Sequence, residues 1–370
     1  MRWIATCKLG LESTVTRQLK SMGIEVERTD DARVTFSGGF DTMIQALLWL
    51  RTAERVLLVV EEFEARTFDE LFEQTRATEW KPYLEPRTTI HVTGKSAKST
   101  LFSVSDCQRI VKKAIVENLK AAYRRTDIPE GGEEIIVEVG VLRDHVTLAL
   151  DCCGAGLSRR GYRTYNVAAP LSETLGAAIV LLSRYRDGIS LVDPMCGSGT
   201  MPIEAAMIAQ NRAPGLHRPF AAERWPFVEP ALWTQLRIQA AGSATDGPVD
   251  ICGSDIDARC IDLCKKHAEK AGVTLNWQVR ALKDFSVPGE RGVIVCNPPY
   301  GDRLLTRDGA SALYRQMRGV FGAYPGWSVN IFSGVEQFER IYGRRADKRR
   351  KLTNGGLPCN LYQYFGEKRI

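Results

Sequence analysis

The chain has 370 residues, 44% apolar and 25% charged; these proportions exclude a mainly disordered chain and fit two or three globular domains. Fifty Lys and Arg against 44 Asp and Glu leave a net charge of +6, which permits a polyanionic partner without requiring one. The longest apolar run, 176–182, is far short of the ~18 residues of a membrane span, and no apolar signal core follows Met1, so a cytoplasmic protein without membrane association is expected.

In chain order, Trp3–Cys7 reads as a strand, followed by a helix with Leu11, Val15, Leu19 and Met22 on one face. Two short strands come next, around 25–28 and 33–36. A second helix then places Phe40, Met43, Ile44, Leu47 and Leu48 on one stripe, and Val56–Val60 reads as a buried strand. The order βαββαβ is that of a ferredoxin-like α+β unit, expected over 1–61. Over 62–156 the pattern gives a helix at 68–80, a strand at 89–93 and a helix of roughly twenty residues capped near Ser105. Strands at 135–141 and 146–150 follow, joined at Arg143-Asp144-His145. The long helix turns Val111, Ile115, Leu119 and Ala122 inward. Its outer face holds Arg109, Lys112, Lys113, Lys120, Arg124 and Arg125, with Lys95 and Lys98 just before it. Such a face is either simply solvated or a phosphate-binding stripe.

After a linker at 157–170, longer β–α alternation over 171–370 implies a parallel, doubly wound sheet. Strands are expected at 191–192, 249–253, 275–279, 293–296 and 328–332. A terminal hairpin turns at Asn354-Gly355-Gly356. Residues 211–248, with five prolines and two tryptophans, read as an insertion, partly loop.

Three segments carry chemistry. Leu191-Val192-Asp193-Pro194-Met195-Cys196-Gly197-Ser198-Gly199-Thr200 is a strand, a glycine-rich turn and a helix opening near Met201-Pro202. No Walker lysine follows, and the Asp193 carboxylate would repel pyrophosphate. A ligand with an ammonium group and a sulfonium, S-adenosylmethionine, suits that carboxylate better. Ile251–Asp257 is a strand ending in acid, and Asp255 there suits ribose hydroxyls. Val293-Ile294-Val295-Cys296 is a buried strand ending in Asn297-Pro298-Pro299-Tyr300-Gly301. Two prolines remove two N–H donors, so nearby carbonyls and the Asn297 amide oxygen are left as acceptors for an exocyclic amine, and Tyr300 offers a stacking face. Ten cysteines include no C-x-x-C pair. Cys260, Cys264 and His267 lack a fourth ligand at a recognisable spacing, so no metal and reduced thiols are expected.

Taken in this order, 193–200, 253–257 and 297–301 resemble the class I S-adenosylmethionine-dependent amino-methyltransferases. With the N-terminal half and the junctions Leu157–Arg163 and Ala169–Leu175, nearly the whole chain is similar to the bacterial and archaeal RNA guanine-N2 methyltransferases. Those carry a ferredoxin-like segment and a THUMP domain before a Rossmann-like catalytic sheet. The resemblance implies that Asp193, Pro194, Met195, Cys196, Gly197, Ser198, Gly199 and Thr200 line the methionine end of the cofactor. It assigns Asp255 to the ribose, Ile256 and Asp284 to the adenine, and Glu173 and Thr174 to closure over the cofactor. Asn297, Pro298, Pro299 and Tyr300 would hold the target base. Lys95, Lys98, Arg109, Lys112, Lys113, Arg159, Arg160, Arg163, Arg349 and Arg350 would meet RNA. The implied partner is ribosomal or transfer RNA, with 23S ribosomal RNA favoured. DNA adenine and protein glutamine are the alternative acceptors, and a monomer is slightly favoured.

Overall fold

The computed structural model describes residues 1–163, 171–186, 188–299 and 307–367. The N-terminal unit runs β1 (Arg2–Cys7), α1 (Glu12–Ser21), β2 (Val26–Asp30), β3 (Arg33–Ser37), α2 (Phe40–Trp49) and β4 (Ala53–Glu64). The next unit adds α3 (Phe68–Ala77), β5 (Thr89–Ala97), α4 (Val104–Tyr123), β6 (Glu134–Leu142) and β7 (His145–Asp151). All seven strands form one sheet, ordered β2-β3-β1-β4-β7-β6-β5. The expected boundary at 61/62 lies inside β4. That strand is longer than its apolar core because its first half pairs with β1 and its second half, to Glu64, pairs with β7. The two N-terminal units therefore share backbone hydrogen bonds.

Local chemistry sets the ends of these elements. Thr67 and Glu70 form a capping box at the start of α3. The β6–β7 turn is two residues long, and Arg143 and Asp144 both have positive φ (52° and 62°), the primed geometry that matches strand twist. The cap of α4 is Ser103 rather than Ser105, and its hydroxyl donates to the Asp106 carboxylate instead of capping backbone.

The C-terminal half comprises α5 (Glu173–Leu182), β8 (Ser190–Asp193), α6 (Thr200–Ala209), α7 (Pro230–Gly242), β9 (Ile251–Asp255), α8 (Ala258–Lys270), β10 (Asn276–Val279), β11 (Gly292–Cys296), α9 (Arg307–Gly322), β12 (Trp327–Ser333), α10 (Phe338–Tyr342), β13 (Lys348–Asn354) and β14 (Leu357–Tyr364). Its sheet runs β10-β9-β8-β11-β12-β14-β13. The first five are parallel; β14 is inserted antiparallel between β12 and β13. Strand order reverses direction at β8, so a crevice opens beyond the carboxyl ends of β8 and β11. Among the described residues no helix is long and apolar enough to cross a membrane.

The insertion at 211–248 joins the halves. Phe227 packs on Trp225 (5.1 Å), on Phe40 of α2 (6.0 Å) and on Tyr83 (5.6 Å). The Gly215 amide donates to the Leu48 carbonyl, and Arg218 donates to the carbonyls of Cys153, Ala155 and Gly156. Buried Trp225 and Trp233 belong to the same continuous core as Trp3 and Leu361. The partly loop-like reading of this segment missed that role, because its aromatics have no periodicity of their own.

Candidate active site

Three strand ends converge. Asp193 closes β8, between Asp255 at the end of β9 and Asn297 just past β11. The glycine loop lies against β9: the Cys196 amide donates to the Ser254 carbonyl and the Gly197 amide to the Asp255 carboxylate, both at 2.9 Å. The other Asp255 oxygen accepts from the Asp257 amide (3.0 Å). Asp255 thus braces the loop, and each oxygen keeps a further lone pair for a ligand.

Asp193 is fully buried. One carboxylate oxygen accepts from the Met195 amide (3.1 Å); the other has no partner among the described residues. Burial, and after it the neighbouring Asp255, push its pKa well above the ordinary carboxylate range. The buried amide oxygen of Asn297 likewise has no partner among the described residues. Such orphans are costly unless a ligand supplies donors. A side-chain carbon at Gly197 (φ 53°) would meet nothing within 4 Å, so the loop borders open space there. Ile256 is 75% exposed, and Asp284, in a short 3₁₀ turn after β10, is exposed as well. An unpaired carboxylate, an exposed apolar chain and a second acid suit a ligand with an ammonium, an adenine and its amine.

Sequence reasoning missed the loop's underside. A side-chain carbon at Gly199 (φ 83°) would lie 2.9 Å from Trp277 and 3.0 Å from the Cys264 sulfur, so only glycine fits. The Cys264 thiol donates to the Gly197 carbonyl (3.1 Å), and His267 Nδ1, which must carry the proton, donates to the Ser198 carbonyl (3.1 Å). Burial lowers the His267 pKa, which favours that neutral form. The Cys264-x-x-His267 spacing was visible, but its purpose is support of the loop backbone. Among the described residues no group of acidic, cysteine or histidine side chains could hold a metal.

The structure corrects several of these expectations. Arg160 is buried and Arg163 mostly so, and both bond within the chain instead of standing on the surface. The buried Arg160 pairs with buried Glu204 of α6 (3.4 Å) and donates to the Leu157 and Arg51 carbonyls; the Tyr162 hydroxyl donates to the same Glu204 (3.2 Å). Arg163 donates to the Thr200 hydroxyl (2.5 Å) and the Leu171 carbonyl (2.8 Å), with the Glu173 carboxylate 3.6 Å away. The junction is a polar latch onto α6. Thr174 does not turn to the glycine loop: its hydroxyl donates to Glu54 of β4 (2.8 Å). The Pro299 carbonyl is not free, since the Tyr314 hydroxyl donates to it (2.9 Å). Tyr300 lies outside the described residues.

Most of the remaining cations are on the surface. Lys95 pairs with Glu138, Arg109 with Asp106, Lys112 with Glu130 and Arg349 with Glu339. Lys113 sits over the Phe72 ring (5.6 Å). Exposed pairs of this kind are weak and exchange readily for phosphate. Lys98 and Arg159 are exposed, and Arg350 is half-buried.

The Arg160–Glu204 pair gives the first prediction. Arg160→Met should destabilise the chain by about 3–5 kcal/mol, because Glu204 is left charged and buried. Adding Glu204→Leu should recover most of the loss in urea melts; no recovery would contradict this account of the latch.

A glycine loop after one parallel strand, an acid after its neighbour and an antiparallel strand near the sheet edge define a class I methyltransferase. Residues 160–363 match the family described as RMKL-like, methyltransferase domain; 2–57 match the RlmL ferredoxin-like domain and 65–151 the THUMP domain. The chain is 43% identical to "Putative RNA methyltransferase YpsC" of Bacillus subtilis, over 99% of this chain and 96% of that protein. It is 33% identical to the Ribosomal RNA large subunit methyltransferase K/L of Photobacterium profundum, of which it spans about half (53%), over 98% of its own length. The crystal structure of SMU.472 complexed with SAH matches 100% of this chain and 99% of that one, with a TM-score of 0.93 and 40% identity. The chain belongs to the RMKL-like methyltransferase family, and S-adenosylmethionine is its cofactor.

Proposed function

We propose that this protein methylates the exocyclic N2 of a guanine in a structured RNA, with 23S ribosomal RNA the first pool to examine and transfer RNA the second. The observation that carries the reading is the unpartnered Asn297 amide oxygen at the end of β11, beside a Pro298 carbonyl that has no hydrogen-bond partner among the described residues. Two acceptors on rigid backbone suit an –NH2 group, and accepting both its protons aims the nitrogen lone pair away from them. S-adenosylmethionine, when bound, supplies an activated methyl group. Asp193 holds its ammonium end, Asp255 its ribose, and Ile256 with Asp284 its adenine. The reaction asks mainly for orientation, so no strong base is needed. The target base leaves its stack to reach the crevice.

RNA as the polymer is supported by the THUMP unit and by the names of the relatives. Phe102 adds to it. It is 82% exposed, in a loop that also carries Lys98 and is braced by Asp144, which accepts from the Thr100 amide (2.6 Å) and donates its own amide to Ser99 (3.1 Å). A braced loop that shows an aromatic face beside a cation suits stacking on an unpaired base. Phe102→Ala should weaken RNA binding by about five- to a hundredfold, from the ~1–3 kcal/mol of one stacked base. S-adenosylmethionine affinity should not change; filter binding and calorimetry check the two halves.

Any exocyclic amine fits the acceptors, so the substrate is decided by product. RNA from cells with and without the gene, digested to nucleosides and analysed by mass spectrometry, should differ in N2-methylguanosine. Equal N2-methylguanosine in both the ribosomal and transfer pools would reject the reading, and a missing methyladenosine would replace it.

A further inference from the structure

We infer that Tyr314 is a positioning residue that aims the acceptor carbonyl at the methyl-receiving amine; this rests on the base-binding reading of Asn297–Pro299. Tyr314 stands on α9, fully buried, with its ring edge-on to Phe338 (5.1 Å, 62°). Phe338 in turn stacks on Tyr362 (4.6 Å). A phenylalanine would fill this apolar site without burying a hydroxyl, which is costly unless bonded. The Tyr314 hydroxyl is bonded: it donates to the Pro299 carbonyl (2.9 Å) and meets the buried Ser333 hydroxyl at the end of β12.

The consequence follows from proline geometry. Residues before a proline are excluded from the helical region, so Asn297 and Pro298 are both held extended, and each proline fixes its own φ. In the polyproline conformation, with three residues per turn, successive carbonyls point about 120° apart. The ψ of Pro299 is the torsion the prolines leave open; the Tyr314 bond fixes it, and in a polyproline run the Pro298 carbonyl then points away from α9. One buried hydrogen bond sets the direction of an acceptor that Tyr314 never touches. Without it the short segment keeps its fold but rocks, and an error near 1 Å at a reacting centre costs about a hundredfold.

The experiment measures kcat, KM for S-adenosylmethionine and the dissociation constant for substrate RNA in Tyr314→Phe, Phe338→Leu and Asn297→Ala. Tyr314→Phe should lose about tenfold or more in kcat, with KM and RNA affinity within about twofold of wild type. Phe338→Leu loosens the same ring cluster yet keeps the hydroxyl bond, so it should lower the melting temperature and spare kcat. If Phe338→Leu loses as much kcat as Tyr314→Phe, packing explains the effect and the inference falls. It also falls if Tyr314→Phe turns over at the wild-type rate while Asn297→Ala is inactive, an outcome that leaves the base-binding reading intact. An active Asn297→Ala would overturn that reading and this inference with it.

Discussion

Asn297→Ala is expected to lower the single-turnover rate of methyl transfer by roughly a hundredfold or more, with S-adenosylmethionine affinity within a few-fold of wild type. Asn297 follows β11, whose five residues are all buried, so the segment that carries the amide oxygen is firmly anchored. That oxygen is buried without a partner among the described residues. Truncation removes the acceptor together with the desolvation cost of an unpaired group, so melting temperature should hold or rise slightly. Lower rate without lower stability separates a functional acceptor from a structural one. A variant that both melts early and binds cofactor weakly would mark Asn297 as structural support for the glycine loop.

Asp193→Asn should weaken S-adenosylmethionine binding by about ten- to a hundredfold, the range of a charge-assisted hydrogen bond worth ~1.5–3 kcal/mol. The same change should stabilise the apoprotein near neutral pH. Burial raises the Asp193 pKa in the folded protein, whereas the unfolded value is near ~3.9. Between those two values the folded chain retains a proton that the unfolded chain releases. Stability therefore falls as pH rises through that window, and Asp193→Asn removes this share of the loss. Ligand affinity runs the other way: wild-type affinity should grow with pH up to the raised pKa, since only the carboxylate pairs with an ammonium. Urea melts and calorimetry at several pH values check both slopes. Equal apoprotein stability of the two forms across the range would show that Asp193 is not held under strain.

The elements of both halves were legible because their signals are local, whereas the joining of the two N-terminal units into one sheet through β4 was not. The stripe Phe40-Met43-Ile44-Leu47-Leu48 fixes α2, and Gly355-Gly356, with φ of 56° and 86°, makes the terminal turn that brings β14 back beside β13. Asp193, Asp255 and Asn297 each mark the end of an apolar strand, and parallel pairing then sets them side by side. Where chain reading failed, the partner was distant in sequence. Arg160 looks like any surface arginine until α6 presents Glu204. Thr174 finds Glu54 120 residues away, and the Pro299 carbonyl finds Tyr314 on the following helix. The insertion's aromatics read as loop punctuation because their contacts, Phe40 and Tyr83, lie in the N-terminal half.

A crystal structure of the protein with S-adenosylhomocysteine and the acceptor guanosine tests the arrangement most directly. The guanine N2 should lie within hydrogen-bonding distance of the Asn297 amide oxygen and the Pro298 carbonyl, with the thioether sulfur facing it from the Asp193 side. A guanosine seated with another atom toward the sulfur, or with its amine turned from Asn297 and Pro298 into solvent, would contradict the account.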